Sequence, residues 1–348
     1  MINTTCLAII LNLILTAASH SQELQHPVQP GVAPAKSAAA ERKTDTSPLR
    51  ETEVTVGHSS TPELAPEDPA FTISTRVDEV NLFLSVTDAK GRFVDNLSAN
   101  DLKLLDDHKA PAKWDYFQAR TNLPLNVILA IDVSSSVRDR LHFEQQAASS
   151  FLKRILRKET DQAAIVAFGS NVQEKTDGMT SDTRALEATI KNLQAGGETA
   201  MYDAIVLASR KLRAARGKTI VRPVIILITD GVDTASKATL RAAEEAATRS
   251  EAAIFALDAN SIYEKNPKGR KVLDRLTRET GGFVLSAREN SDLKGSFSKI
   301  EKILRCQYAL GYPPPDLEAN GRFRSIEVTS NRRGLQVHAR NGYYAPAQ

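Results

Sequence analysis

Apolar and polar positions change rhythm twice along the chain. Val80, Leu82, Leu84 and Val86 alternate with other residues, the period-two signature of a half-buried strand. Asp88-Ala89-Lys90-Gly91 then supplies a turn, Leu102, Leu104 and Leu105 mark a second strand, and Asp106-Asp107-His108-Lys109 a second turn. With the aromatic cluster Trp114, Tyr116 and Phe117, residues 70–122 are predicted to form a small β module, Trp114 serving as core rather than as a ligand platform. From residue 125 the pattern becomes continuous apolar runs (125–131, 163–168, 224–228, 253–257 and 283–285) separated by helical stretches (138–157, 184–193, 200–215 and 237–249). Leu141, Ala148, Leu152 and Ile155 share one face of the first of these helices. Strands apolar on both faces and separated by helices imply an α/β domain over residues 123–305, a doubly wound, mostly parallel sheet covered on both sides. Residues 172–176, after a Gly169-Ser170-Asn171 turn, are expected as an antiparallel edge strand.

β character returns in residues 306–348, with strands at 308–312, 322–330 and 335–340, the last two expected as a hairpin turning at 331–334. In such a sheet strands run toward the ligand end and helices run back, so the last helix (about 292–305) should finish beside the start of the first strand. The β segments before Leu125 and after Cys306 are therefore expected to pack together as one module on the far side.

The amino-terminal region changes the picture of where the chain works. The apolar run at residues 6–18 is too short to span a bilayer comfortably and passes into Ser19, His20, Ser21 and Gln22, the profile of a secretory signal peptide over residues 1–22. An uncleaved membrane anchor is the alternative, because no Lys or Arg precedes the run. Residues 23–69 are rich in Pro, Ala, Ser, Thr and Glu with few large apolar side chains, and are expected to be a disordered linker. Cleavage would leave Cys306 as the one cysteine, so stability must come from packing or metal rather than from an internal disulfide. A hydrophobic share of 41% supports a real core in 348 residues, and a formal net charge of +3 gives no sign of a nucleic-acid binder. The expected location is secreted, periplasmic or cell-envelope, with no transmembrane span after signal removal.

Candidate chemistry gathers at strand ends, where ligands of parallel sheets bind. Asp132, Ser134 and Ser136 follow the first apolar strand, Thr199 follows Gly196-Gly197-Glu198, and Asp230-Gly231 ends the run 224–228. Helix capping explains any one of these clusters alone. Together they resemble the metal ion-dependent adhesion site of von Willebrand factor type A domains: D-x-S-x-S at Asp132, Ser134 and Ser136, a threonine after a Gly-rich turn at Thr199, and an aspartate before glycine at Asp230. The stretch LDRLTRETGG (273–282) is also similar to that family, and QYALGY and NGYYA resemble the flanks of secreted bacterial proteins carrying a related domain. The resemblance implies a Rossmann-like type A fold over about half the chain. It also implies that Ser134, Ser136 and Thr199 bind a divalent cation directly, with Asp132 and Asp230 often acting through water. Hydroxyl and carboxylate oxygens suit Mg²⁺ or Mn²⁺, and no nearby His or Cys argues for zinc. An open position on such an ion can take a carboxylate from a protein ligand, which implies a non-enzymatic binding or adhesion role. Glu198, an acid beside Thr199, departs from what an acidic ligand would favour.

Two other readings stand beside this one. A Mg²⁺-dependent phosphoryl-transfer hydrolase also places an aspartate after its first strand, but Ser134 stands where its second acid is expected, and no G-x-S-x-G elbow, P-loop or HExxH is present. A structural envelope protein with an inactive metal site is the other. The basic runs 210–218 and 265–271 read as solvated helix ends, and His108, His142 and His338 are scattered.

Overall fold

The computed structural model describes residues 79–119, 123–217, 220–259, 267–287, 290–305 and 307–347. The expected signal peptide and linker, residues 70–78 of the expected β module and Cys306 lie outside the described residues. The elements are β1 (Val80–Asp88), β2 (Leu102–Asp106), β3 (Tyr116–Gln118), β4 (Leu125–Asp132), α1 (Arg138–Ile155), β5 (Gln162–Phe168), β6 (Val172–Glu174), α2 (Thr183–Lys191), α3 (Met201–Ala214) and β7 (Arg222–Thr229). They continue with α4 (Leu240–Ser250), β8 (Ala253–Asp258), α5 (Pro267–Thr280), β9 (Val284–Ser286), α6 (Asn290–Arg305), β10 (Tyr308–Tyr312), β11 (Phe323–Ser330), β12 (Leu335–Ala339) and β13 (Gly342–Tyr344).

The central sheet has the order β6-β5-β4-β7-β8-β9, parallel except for the edge strand β6, which runs antiparallel to β5. Every residue of β4 and of β7 is buried, because helices cover both faces of the sheet. Side-chain parity assigns the faces. Leu125, Val127, Leu129 and Ile131 pack with α1, α2 and α6, while Ile128 and Ala130 pack with α3, α4 and α5. β5 lies on one side of β4 and β7 on the other, so the chain reverses its winding at β4, and the crevice opens beyond the carboxyl ends of β4 and β7. Among the described residues no helix is long and apolar enough to cross a membrane.

Strands from the two flanks of this domain interleave. One small sheet has the order β12-β1-β10-β3 and the other β13-β11-β2. Val80 to Leu84 register with Tyr312 to Tyr308, and Ile326 to Ser330 with Asp106 to Leu102. Leu82, Leu84, Leu104, Tyr308, Leu310 and Ile326 are buried in one shared apolar cluster, against which half-buried Trp114 packs beside Phe117.

The expected hairpin at 331–334 is corrected here. β11 pairs with β2 and β13, whereas β12 pairs with β1, so the turn carries the chain from one sheet to the other. The physical reason lies in burial: Ile326 and Val328 of β11 and Leu335, Val337 and Ala339 of β12 all meet the same cluster, which paired sheets facing each other satisfy.

Asp106 joins the two small sheets. It is buried, and its Oδ2 accepts from the Tyr312 hydroxyl at 3.0 Å and the Tyr343 hydroxyl at 2.9 Å. Burial holds its carboxyl above the ordinary value, against those two hydrogen bonds. Asp106→Ala strands two buried hydroxyls, so unfolding free energy should fall by about 2–4 kcal/mol. Asp106→Asn, which keeps an acceptor, should lose less; urea denaturation of both variants checks the difference.

Candidate metal centre

The loop after β4 turns back on itself because the Asp132 carboxylate grips it. Asp132 is fully buried; its Oδ1 accepts from the Ser134 backbone N–H at 2.8 Å and its Oδ2 from the Thr229 hydroxyl at 2.8 Å. Ser134 then precedes a short 3-10 turn (Ser135–Val137) leading into α1, and its side chain makes no capping hydrogen bond. Its Oγ instead lies 3.0 Å from Ser136 Oγ. Helix capping therefore does not account for these hydroxyls.

The second loop is sewn to the first by backbone bonds. Ser135 N–H donates to Gly197 O at 2.9 Å and Gly196 N–H to Val133 O at 2.7 Å. Gly197 has φ +85°, and a Cβ there would stand 2.4 Å from Ser170 Oγ, so the turn before Thr199 needs glycine. Thr199 is buried; its N–H donates to Thr234 Oγ1 at 3.0 Å, and its carbonyl accepts from the backbone N–H groups of Thr234 and Ala235. Those contacts tie it to the third loop, which begins at Asp230. The half-buried Asp230 accepts the Val232 N–H on Oδ1 at 3.0 Å. Gly196, Gly197, Thr199, Asp230 and the Asp132–Ser136 segment thus belong to three loops joined directly to one another. Ser136 and Glu198 are exposed, and Glu198 meets this network through its backbone N–H on Ser170 Oγ.

Electrostatics at this end of the sheet suit a cation. Burial pushes the Asp132 carboxyl above its ordinary 3.8; hydrogen bonds from Ser134 and Thr229 oppose this, and the Asp230 charge adds to it. Glu144, buried on α1, is pushed up to about 7 by burial, with Arg140 opposing and the Asp132 charge adding. Among the described residues no three His, Cys, Asp or Glu side chains are placed to hold a metal. The candidate donors here are instead two carboxylates and three hydroxyls. Adjacent oxygens on an octahedral Mg²⁺ with bonds of about 2.1 Å stand about 3.0 Å apart, a spacing that Ser134 Oγ and Ser136 Oγ match at 3.0 Å. Both Asp132 oxygens are already engaged in hydrogen bonds, which suits an outer-sphere role. The hydroxyl pair is spaced as two ligands of a small hard dication would be.

A family model described as the von Willebrand factor type A domain matches residues 127–232. The chain carries a von Willebrand factor type A domain. The matched stretch runs from β4 to the third loop and includes all five candidate ligands. Among solved structures, a D319A mutant of the PilB minor pilin from Streptococcus sanguinis aligns with TM-score 0.46 and 15% identity over 53% of this chain and 62% of that one. A von Willebrand factor type A protein from Catenulispora acidiphila aligns with TM-score 0.46 and 14% identity over 77% of this chain and 74% of that one. The pilus adhesin SpaC from Lactobacillus rhamnosus GG, in an open conformation, gives 0.44 and 11% over 76% and 48%. The chain thus spans about three fifths of the minor pilin and half of the adhesin. Comparison with curated protein sequences gives no match.

Several residues that hold these three loops together were not singled out from sequence. Thr229 fixes Asp132, and Thr234 fixes Thr199. Asp233 and Asp203 accept N–H groups of Tyr202 and of Lys237 and Ala238 respectively, locking the third loop to the start of α3. The signal available for them was proximity: Thr229 directly precedes Asp230, and DTAS (233–236) is a hydroxyl- and acid-rich loop just downstream.

Proposed function

We propose that this type A domain binds Mg²⁺ or Mn²⁺ through Ser134, Ser136 and Thr199, with Asp132 and Asp230 in water-mediated support, and uses the ion to grip a carboxylate of a protein partner. The protein is then an exported, non-enzymatic binding or adhesion protein of the cell envelope or exterior. The observation carrying this reading is the 3.0 Å hydroxyl pair set beside a buried aspartate whose oxygens are both engaged. Mostly neutral direct ligands leave a dication electron-poor, so an incoming carboxylate gains more from it than it would from an ion already neutralised by the protein. The role of this chain's own residues is to hold the ion in place and orient its open side; no nucleophile or proton acceptor of a hydrolytic site is assigned.

Calorimetry with MgCl₂ and MnCl₂ tests the site. The folded protein should give a saturable heat, and Ser134→Ala or Asp132→Ala should weaken metal affinity at least about tenfold, the scale on which ligand and supporting positions act, while circular dichroism stays native. A metal-dependent pull-down from envelope extract, lost in the Ser134→Ala variant, tests the partner. Absence of heat with either metal ends the metal assignment. Binding without capture leaves the site standing and removes the adhesion role.

A further inference from the structure

Arg222 opens β7 at the end of the sheet away from Asp230 and heads the largest fully buried side chains among the described residues. Its Nη1 donates to the Leu304 carbonyl at 2.9 Å, but Nε and Nη2 are buried without an acceptor. Burial pushes this guanidinium down to about 9, and the neighbouring charge that adds to the shift is that of Arg305, another cation. The Phe83 ring, 6.0 Å from Cζ, stands at the outer limit of a cation–π contact. A charge withdrawn from water in this way is strongly disfavoured unless a counter-charge and acceptors replace the solvent.

The surroundings of Arg222 point to what that counter-charge is. Arg222 lines a narrow cavity of about 10 Å³ at the seam between the type A domain and the β module, together with Asn81, Gln307 and Arg340. Arg340 brings a second buried Nε without an acceptor, and Gln307 a buried Oε1 without a donor. The Gln307 amide nitrogen donates to Ser85 Oγ at 2.6 Å. Exchanging the amide's O and N keeps that bond, with the hydroxyl now donating, and turns an N–H donor toward the cavity. Glu251, on the same wall, is shared between Arg340 and Arg216 at 3.4 Å each.

We propose that this cavity is a monatomic-anion site, filled by chloride held between Arg222, Arg340 and the Gln307 amide. About 10 Å³ admits one water-sized or halide-sized occupant and excludes sulfate or phosphate. Water would satisfy the donors and leave the charge uncompensated. The ion ties the start of β7, and through Arg222 the end of α6, to the β module.

Urea unfolding at constant ionic strength in sodium chloride, sodium bromide or sodium gluconate tests the proposal, with bromide-soaked crystals as a direct probe. The unfolding midpoint should rise with chloride or bromide over a roughly hundredfold range, in proportion to log concentration once the site fills, and stay flat in gluconate. Bromide should give an anomalous peak within hydrogen-bond distance of Arg222 and Arg340. Gln307→Glu supplies a covalent counter-charge that can still accept from Ser85, so its midpoint in gluconate should match wild type in chloride, with no chloride dependence. Arg222→Met should also lose the dependence; if that variant does not fold, Gln307→Glu carries the test. Equal wild-type midpoints in chloride and gluconate, or bromide found at surface arginines and not in the cavity, overturns the proposal.

Discussion

Replacing Asp161 by alanine should lower the unfolding free energy by about 3–5 kcal/mol, the scale for removing one partner of a buried ionic cluster. Asp161 is fully buried at the base of the type A domain, at the end away from the candidate metal centre. Its Oδ1 accepts from Leu125 N–H at 3.0 Å and Arg157 Nη2 at 2.7 Å; its Oδ2 accepts from Arg157 N–H and Nε at 3.0 Å each and Arg305 Nη2 at 2.7 Å. The side chain thus joins the start of β4, the turn after α1 and the end of α6. Loss of the carboxylate removes the acceptor that Arg157 and Arg305, each about a quarter exposed, share at this point.

The same residue sets a pH dependence. Burial alone would raise its carboxyl, but hydrogen bonds from Arg157 and Arg305 and from two backbone N–H groups outweigh it and hold it well below the ordinary 3.8. The folded state therefore binds fewer protons at this site than the unfolded state. The contribution is complete above the unfolded value and is lost as pH falls through the lower folded value. The stability gap between wild type and Asp161→Asn should be flat from pH 7 to about 5 and shrink below about 4. A gap that widens on acidification contradicts the assignment.

The second large effect is expected at Gly269, in the first turn of α5. A Cβ there would stand 2.3 Å from the Asp230 carbonyl oxygen, and one at Gly231, where φ is +81°, would stand 2.5 Å from the Gly269 carbonyl oxygen. The two glycines let α5 abut the loop that carries Asp230, backbone against backbone. Gly269→Ala must push one away from the other, at about 1–3 kcal/mol for overpacking. Because the displaced segment carries a candidate ligand, divalent-metal affinity should fall together with thermal stability. Gly295→Ala, inside α6 where a Cβ would meet nothing within 4 Å, is the matched control: it should leave metal affinity unchanged and raise stability slightly, by about 0.5–1 kcal/mol.

The apolar rhythm made the central sheet legible because strands buried on both faces need unbroken apolar runs. The expected strand at 125–131 is β4, and 224–228 lies within β7. Helix ends were less legible: the stretch expected from 237 begins as α4 at Leu240, where Thr239 caps it, because Asp203 and Asp233 hold Lys237, Ala238 and Ser236 in the preceding loop. Distant acceptors of that kind leave no periodic trace. Strand partners in the β module were the clearest loss. Alternation in β11 and β12 reveals which side chains face inward, but not that the two strands join different sheets. Asp132, Ser134, Ser136 and Asp230 could be picked out as candidates because they end or follow strands, and Thr199 because it follows a Gly-rich turn, whereas Arg222 at the head of an apolar run carries no such flag.

The interleaving of β1, β2 and β3 with β10, β11, β12 and β13 has a consequence for biogenesis. The first three strands leave the ribosome, and cross any export channel, more than 180 residues ahead of the partners they need. Until those partners arrive, their edges are unsatisfied templates for stray pairing. The intervening domain draws its two ends together as it folds, which shortens the loop to be closed from a long random coil to a span set by one rigid body. Once folded, the α/β insert sets the distance across which the two halves of the β module must meet.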